Sequence, residues 1–432
     1  MKRLVWVELR PDERRAALAR PEGRTSQALK DGVRLIVEEV RDGGWNALAR
    51  VAERIDGSAP MMVPVAEGAA EARRALSAEQ LSAFELAACN IRAFHEGSRP
   101  TDVIVETMPG LTVCKVWRAI ERVGLYVPGG ATPLFSTLLM LALPARAAGV
   151  VELVVVTPPR ADGSLDPLVA LAAEQCGVDA IWTVGGAQAI AALAFGAGAI
   201  PVCDKICGPG NAWVAEAKTL VASMPGGPAI DLPAGPSELM VIADRGADPA
   251  LVAADLLSQA EHDPAAQVML ATDSLALLEG VEGEVRRQVA TLPRQSIAER
   301  SLEAARLVLI GEMTEAAEIA NLYAPEHLSL NVAEPAVLLP MIRNAGAVFA
   351  GRDAAETFGD YCAGSSHVLP TDGAARAWSG VGVQSFMKAM TVQSLTPAAA
   401  QKIAPAAAAL ARLEGLEAHA RAADARLQLV PA

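Results

Sequence analysis

Aromatic residues are scarce: Phe, Tyr and Trp make up 4% of 432 residues. That argues against a surface that stacks the bases of single-stranded nucleic acid. Positive charge is outnumbered, with 37 Lys and Arg against 50 Asp and Glu and a net charge of −13. Such a chain repels phosphate backbones and anionic lipids, so a small-molecule ligand is expected, with no nucleic acid and no membrane partner. The longest apolar stretch, 190–203, is shorter than a bilayer span and holds several Gly and Ala. The first twenty residues, MKRLVWVELRPDERRAALAR, meet charge too early for a signal-peptide core. Six cysteines lie scattered without a CxxC pair, as expected of reduced thiols in a cytoplasmic protein. There is no GxGxxG, no HExxH and no tight HxH cluster. An ordinary Rossmann dinucleotide site therefore cannot be claimed, and any metal site has to be assembled from distant segments.

What is present is a repeated alternation of strand and helix. Residues 151–157 (VELVVVT) form a β-rich run, and Asp166-Pro167 then supplies an N-cap and a first-turn proline. Residues 179–184 give the next strand, and Gly185-Gly186 turns it into a helix. Lys205-Ile206-Cys207 leads through Gly208-Pro209-Gly210 into another helix at Asn211. A second series starts at 239–243 and has a helix over 248–261. Its further strands fall at 267–271, 307–310, 328–332 and 347–350. Continuous apolar strands between helices predict parallel sheets covered on both faces. The region 27–123 reads as largely helical and able to pack on either series. The last fifty residues read as an Ala-rich helix with no strand, a tail suited to lie on a partner subunit.

Only five histidines occur. His95 has no clustered partner and reads as structural. Gln259 and His262 are spaced i and i+3 at a helix end, so they share one side. Imidazole nitrogen and amide oxygen both suit zinc. Glu326-His327 puts two proton-moving groups side by side. On an extended segment they would point apart, but Pro325 suggests a bend that brings both to one cavity. Asp360 and His367 belong to a loop with two glycines, Gly359 and Gly364. Glu414 and His419 sit on the tail, where a solvated polar helix is the plainer reading. Three glycine turns, Pro128-Gly129-Gly130, Gly185-Gly186 and Gly208-Pro209-Gly210, gather in the first series. The last two join strand to helix, where a ligand can approach backbone amides.

Together these segments resemble the histidinol dehydrogenase family over nearly the whole chain. The matching runs are VGLYVPGGATPL (123–134), GGAQAIAALAFG (185–196), DKICGPGNAWVAEAK (204–218), AGPSE (234–238), ADLLSQAEHDP (254–264), APEHL (324–328), GDYCAG (359–364) and HVLPT (367–371). The resemblance implies an α/β fold of two incomplete Rossmann-like domains with small N- and C-terminal helical extensions, in an intertwined homodimer. The expected divisions are an N-terminal arm (1–26), a larger α/β domain (27–123 plus 234–380), a second α/β domain carrying NAD loops (124–233), and a tail on the partner subunit (381–432). It implies one zinc per subunit, held by Gln259, His262 and Asp360 of one chain and His419 of the other. Those four ligands, with Ser237, His327, His367 and Glu414, would contact the substrate. Tyr126, Gln188 and Asn211 match NAD contacts, and Glu326 and His327 match the acid–base pair. The implied activity is NAD-dependent four-electron oxidation of L-histidinol to L-histidine, the last step of histidine biosynthesis. One departure is Ser366, where the family commonly has Asn before the His of HVLPT. Two alternatives are an NAD-dependent dehydrogenase of another zinc-chelating alcohol and a zinc hydrolase using Glu326 and His327.

Overall fold

The protein, described from a computed structural model, has its structure defined for residues 1–21, 26–129, 134–232 and 235–428. Two six-stranded sheets organise it. In the first, the spatial order is Lys2–Val5, Arg306–Leu309, Gln267–Thr272, Glu238–Ala243, His327–Asn331 and Ala347–Ala350, all parallel. Every residue of Glu238–Ala243, Gln267–Thr272 and His327–Asn331 is buried, as expected of strands with both faces covered. The chain winds outward from Glu238–Ala243, then crosses back to start again at His327–Asn331. The switch point therefore pairs Leu239 with His327.

The second sheet runs Met62–Pro64, Ala180–Thr183, Glu152–Thr157, Arg122–Tyr126, Lys205–Cys207 and Ala229–Ile230, with only the first strand antiparallel. Its switch point lies between Arg122–Tyr126 and Lys205–Cys207. The Gly208-Pro209-Gly210 turn leaves from there. Gly208 has φ +126° and passes so close to Tyr126 that an added Cβ would collide with the Tyr126 carbonyl oxygen.

Three features differ from the sequence expectations. First, the helices of 27–97 pack mainly on the second sheet, although Ala78–Gly97 also meets 234–380, where Asn90 Nδ2 donates to Cys362 O at 2.8 Å. Gln27–Ile55 lies on the helices Gly186–Phe195 and Ala212–Ser223, Val65–Ala75 on Pro167–Gln175, and Ala78–Gly97 on Phe135–Ala148. The apolar stripe of Val33, Val37, Val40, Leu48 and Val51 meets Ala189, Ile190, Ala191 and Leu193. That stripe marks a buried face, but its periodicity carries no information on which sheet it covers. Second, 27–123 is largely helical as expected, but it also carries strands, and the tail is not strandless. Val103–Met108, Leu111–Ala119 and Met387–Leu395 form a separate antiparallel sheet. After its first residue Met387–Leu395 is exposed throughout, so no alternation of buried and exposed positions announces it. Third, the arm begins as a strand paired with Arg306–Leu309. The tail continues as the helices Pro397–Leu413 and Glu417–Asp424. Gly130 of the first glycine turn, residues 22–25 of the arm and the 233/234 boundary lie outside the described residues.

Candidate functional site

The first site forms at the amino ends of the central strands of the first sheet. Ala324 sits at φ +54°, a left-handed bend before Pro325, and delivers Glu326 and His327 to the strand start. Both side chains are buried and both are held by one residue of the neighbouring strand. Glu326 Oε2 accepts from Glu238 N at 2.8 Å, and His327 Nδ1 lies 3.1 Å from Glu238 O. A carbonyl oxygen only accepts, so Nδ1 carries a hydrogen and the proton that the imidazole gains or loses is the one on Nε2. Glu238 is itself fixed by Arg20 of the arm, whose Nη2 donates to Glu238 Oε2 at 2.6 Å.

Two more carboxylates face the imidazole. Glu356 Oε1 is 3.3 Å from His327 Nδ1, and Asp360 Oδ1 is 3.5 Å from Nε2. They lie i and i+4 on the short helix Glu356–Tyr361 and so share a face. Ser258 Oγ donates to Glu356 Oε2 at 3.2 Å. Phe349 stacks on the His327 ring with centroids 5.9 Å apart. Burial pushes the Glu326 carboxyl up to about 8 and Glu356 up to about 7. Burial pulls His327 down, but Glu326, Glu356 and Asp360 outweigh it and push the imidazole up to about 10. Asp360 is raised by burial, yet His327, His367 and His262 hold it below its usual value.

Three carboxylates around one imidazole leave excess negative charge, which a cation would balance. The ligand-bearing atoms of His327, Glu356 and Asp360 all lie within 4.8 Å of one another. Gln259, on the buried face of the helix Pro249–Ala260, has both amide atoms buried and unpaired. Such groups cost about 1–3 kcal/mol each when left unmet, so an amide oxygen in this position fits a cation ligand. His262 is at the exposed rim just beyond that helix. Burial of its ring atoms lowers its pKa, and it feels the charges of Asp360 and His327. His367 Nδ1 is 2.9 Å from Asp360 O, and its Nε2 is 3.2 Å from Thr137 Oγ1 on a helix of the second sheet. The site thus lies where the two halves meet. Ser366 is buried and its Oγ accepts from Val368 N at 3.1 Å, holding the turn around His367. Half-buried Ser237 directly precedes Glu238. Glu414 and His419 are exposed on the tail helices, and neither is among the groups that perturb His262, Asp360 or His367.

The glycine turns form a second constellation at the carboxyl ends of the other sheet, the crevice that takes ligands in open α/β sheets. Tyr126 is buried and its hydroxyl accepts from Gly186 N at 3.2 Å. Burial pushes this phenol up to about 12. Gln188 is buried and its Nε2 donates to Asp56 Oδ2 at 3.0 Å. Asn211 is exposed and caps the helix Ala212–Ser223, its Oδ1 accepting from Trp213 N and Val214 N at 3.0 and 3.2 Å. A buried ion pair, Lys218 with Asp231, fastens the adjoining turn. Asp231 Oδ2 accepts from Gly208 N at 2.6 Å, and Lys218 Nζ donates to Gly208 O at 2.8 Å.

Sequence reasoning missed Glu238, Glu356, Asp56 and Thr137. Only Glu356 left a local signal, its i, i+4 spacing from Asp360. The others arrive from distant strands and helices.

Known proteins share this arrangement of the chain. The family model described as histidinol dehydrogenase matches residues 18–427. Histidinol dehydrogenase from Xanthomonas campestris pv. campestris (strain 8004) is 48% identical over 428 residues, 99% of each chain. That of Xylella fastidiosa (strain 9a5c) is 46% identical over 433 residues, covering both chains fully. A crystal structure of histidinol dehydrogenase from Elizabethkingia anophelis superposes with a TM-score of 0.94 at 37% identity, over 99% of this chain and 97% of that one. With nearly the whole sequence and fold in common, this chain belongs to the histidinol dehydrogenase family and is an oxidoreductase.

Proposed function

We propose that this chain oxidises L-histidinol to L-histidine in two NAD-linked steps at a zinc site, closing histidine biosynthesis. The observation that carries the reading is the buried Glu326–His327 pair, held by Glu238 and faced by the carboxylate of Asp360, together with the buried, unpaired amide of Gln259. Gln259, His262 and Asp360 would hold the zinc, with His419 supplied by a second copy. The ion would anchor the amine and imidazole of the substrate and so fix its alcohol carbon. NAD, at the Tyr126, Gln188 and Asn211 loops, supplies the hydride acceptor.

His327 Nε2 takes the hydroxyl proton while the carbon gives up hydride, leaving an aldehyde. Glu326 removes a proton from water as its oxygen adds to that aldehyde, and the carbonyl oxygen takes back the proton held by His327, giving the hydrate and freeing the imidazole. His327 then takes a hydrate O–H proton as the second hydride leaves, and the carboxylate forms. Ser237, His367 and Glu414 hold the substrate. Burial keeps the reactive aldehyde from free water. A homodimer with shared sites is supported by the exposed apolar residues of the tail, Leu410, Leu413 and Leu416, and of the antiparallel sheet, Ile104, Val392 and Leu395. All six cysteines are free, in keeping with a cytoplasmic setting. No described helix is long and apolar enough to cross a membrane.

The test is stoichiometry: two NADH per histidinol consumed, abolished by a chelator and restored by zinc. His327→Asn should lower kcat about a hundredfold or more with zinc content retained. Unchanged turnover would remove His327 from the reaction.

A further inference from the structure

Asp56 caps the helix Gln27–Ile55 and belongs to none of the family-matching runs. Its carboxylate nevertheless reaches the turn that opens the helix Gly186–Phe195. Asp56 Oδ2 accepts from Gly185 N and from Gln188 Nε2, each at 3.0 Å. The next amide, Gly186 N, is taken by the Tyr126 hydroxyl. A helix start with free amides takes a phosphate. Here the protein has put its own oxygens there, and a phosphate would meet the charge of Asp56.

The unused valences point to a different ligand. Asp56 Oδ1 takes no hydrogen bond from a described residue, although the side chain is only half-buried. Gln188 Oε1 is buried and unpaired. Gly186, at φ +61°, keeps that oxygen clear, since a Cβ there would lie 2.6 Å from it. Both free atoms are acceptors, and no described Lys or Arg bonds to either side chain. Such a pair calls for a ligand that brings two donors and no charge, as a cis-diol does.

We infer that Asp56, with Gln188, receives the adenosine ribose diol of the dinucleotide and selects NAD over its 2′-phosphorylated form. The inference rests on the reading that these loops bind NAD. A 2′-phosphate replaces a donor with an acceptor-only anion beside a carboxylate, so it loses a hydrogen bond and gains repulsion. A carboxylate on the ribose hydroxyls is the device expected where NAD is preferred.

The test measures dissociation constants of NAD and NADP by tryptophan fluorescence on the full-length protein, and kcat/KM for both with histidinol. The unaltered protein should bind NAD about tenfold or more tighter than NADP. Asp56→Asn should lower that preference by about tenfold or more, by weakening NAD and not NADP, while Asp56→Glu keeps the preference. Should Asp56→Asn fail to fold, Gln188→Leu is expected to move the ratio the same way. A merely structural role would weaken both cofactors alike, and that result, or an unchanged ratio, overturns the inference. Equal affinity of the unaltered protein for both dinucleotides also overturns it. Selective NAD binding that Asp56→Asn abolishes, without any histidinol oxidation, leaves the inference standing and removes the reaction instead.

Discussion

Glu326 and His327 are adjacent, yet one residue of the neighbouring strand holds them in different ways. Glu238 offers an amide to the first and a carbonyl to the second. The amide leaves Glu326 an acceptor, and the carbonyl fixes the imidazole hydrogen on Nδ1. A group whose work is to activate water matters only after the aldehyde exists. Glu326→Gln should therefore slow aldehyde oxidation about a hundredfold and alcohol oxidation far less, measured by supplying each substrate separately. Because burial holds the Glu326 carboxyl near 8, its ionised fraction grows as pH rises, and aldehyde oxidation should rise with it towards that value. Equal loss in both half-reactions would count against the assignment. The bend that lets the two side chains converge was legible in Pro325, and the structure locates it one residue earlier, at Ala324. Glu238 was not legible, because its meeting with Glu326 is a matter of strand register. Nothing in the local pattern of either strand states which partner lies opposite.

At the scale of elements, strands and helices of both series were readable because they are long, apolar and punctuated by Asp-Pro and Gly-Gly signals. The antiparallel sheet was not, since Met387–Leu395 is nearly all exposed and takes its order from pairing with Leu111–Ala119. The Gly208 turn was visible as a glycine motif, but its fastening was hidden. Lys218 lies on the following helix and Asp231 just beyond the last strand of that sheet, and the turn is clamped between them. Removing one member of a buried pair strands the other charge. Lys218→Met should cost about 3–5 kcal/mol of stability, read as a lowered thermal midpoint. Adding Asp231→Asn to that variant should recover part of the loss, because the orphaned charge goes with it. A double variant as unstable as the sum of the singles would mean the two groups act independently.

At the scale of the whole molecule, His262 feels the charge of Asp360 and follows the helix that carries Gln259, whereas Glu414 and His419 are exposed on the tail. A metal site with three ligands from one chain and a fourth from a second copy reconciles these positions. With zinc held in that way, His419→Asn would damage the site on the partner, and Gln259→Ala would damage the site of its own chain. In a mixed dimer both lesions fall in one site and the other site is intact. Random pairing of equal amounts makes half the dimers mixed, each with one working site of two. Co-expression of the two inactive variants should thus restore about a quarter of full activity, with about half of the dimers carrying one bound zinc at the intact site. If each chain instead supplied its own His419, every site in the mixture would carry one lesion, and activity would stay at the level of the separate variants.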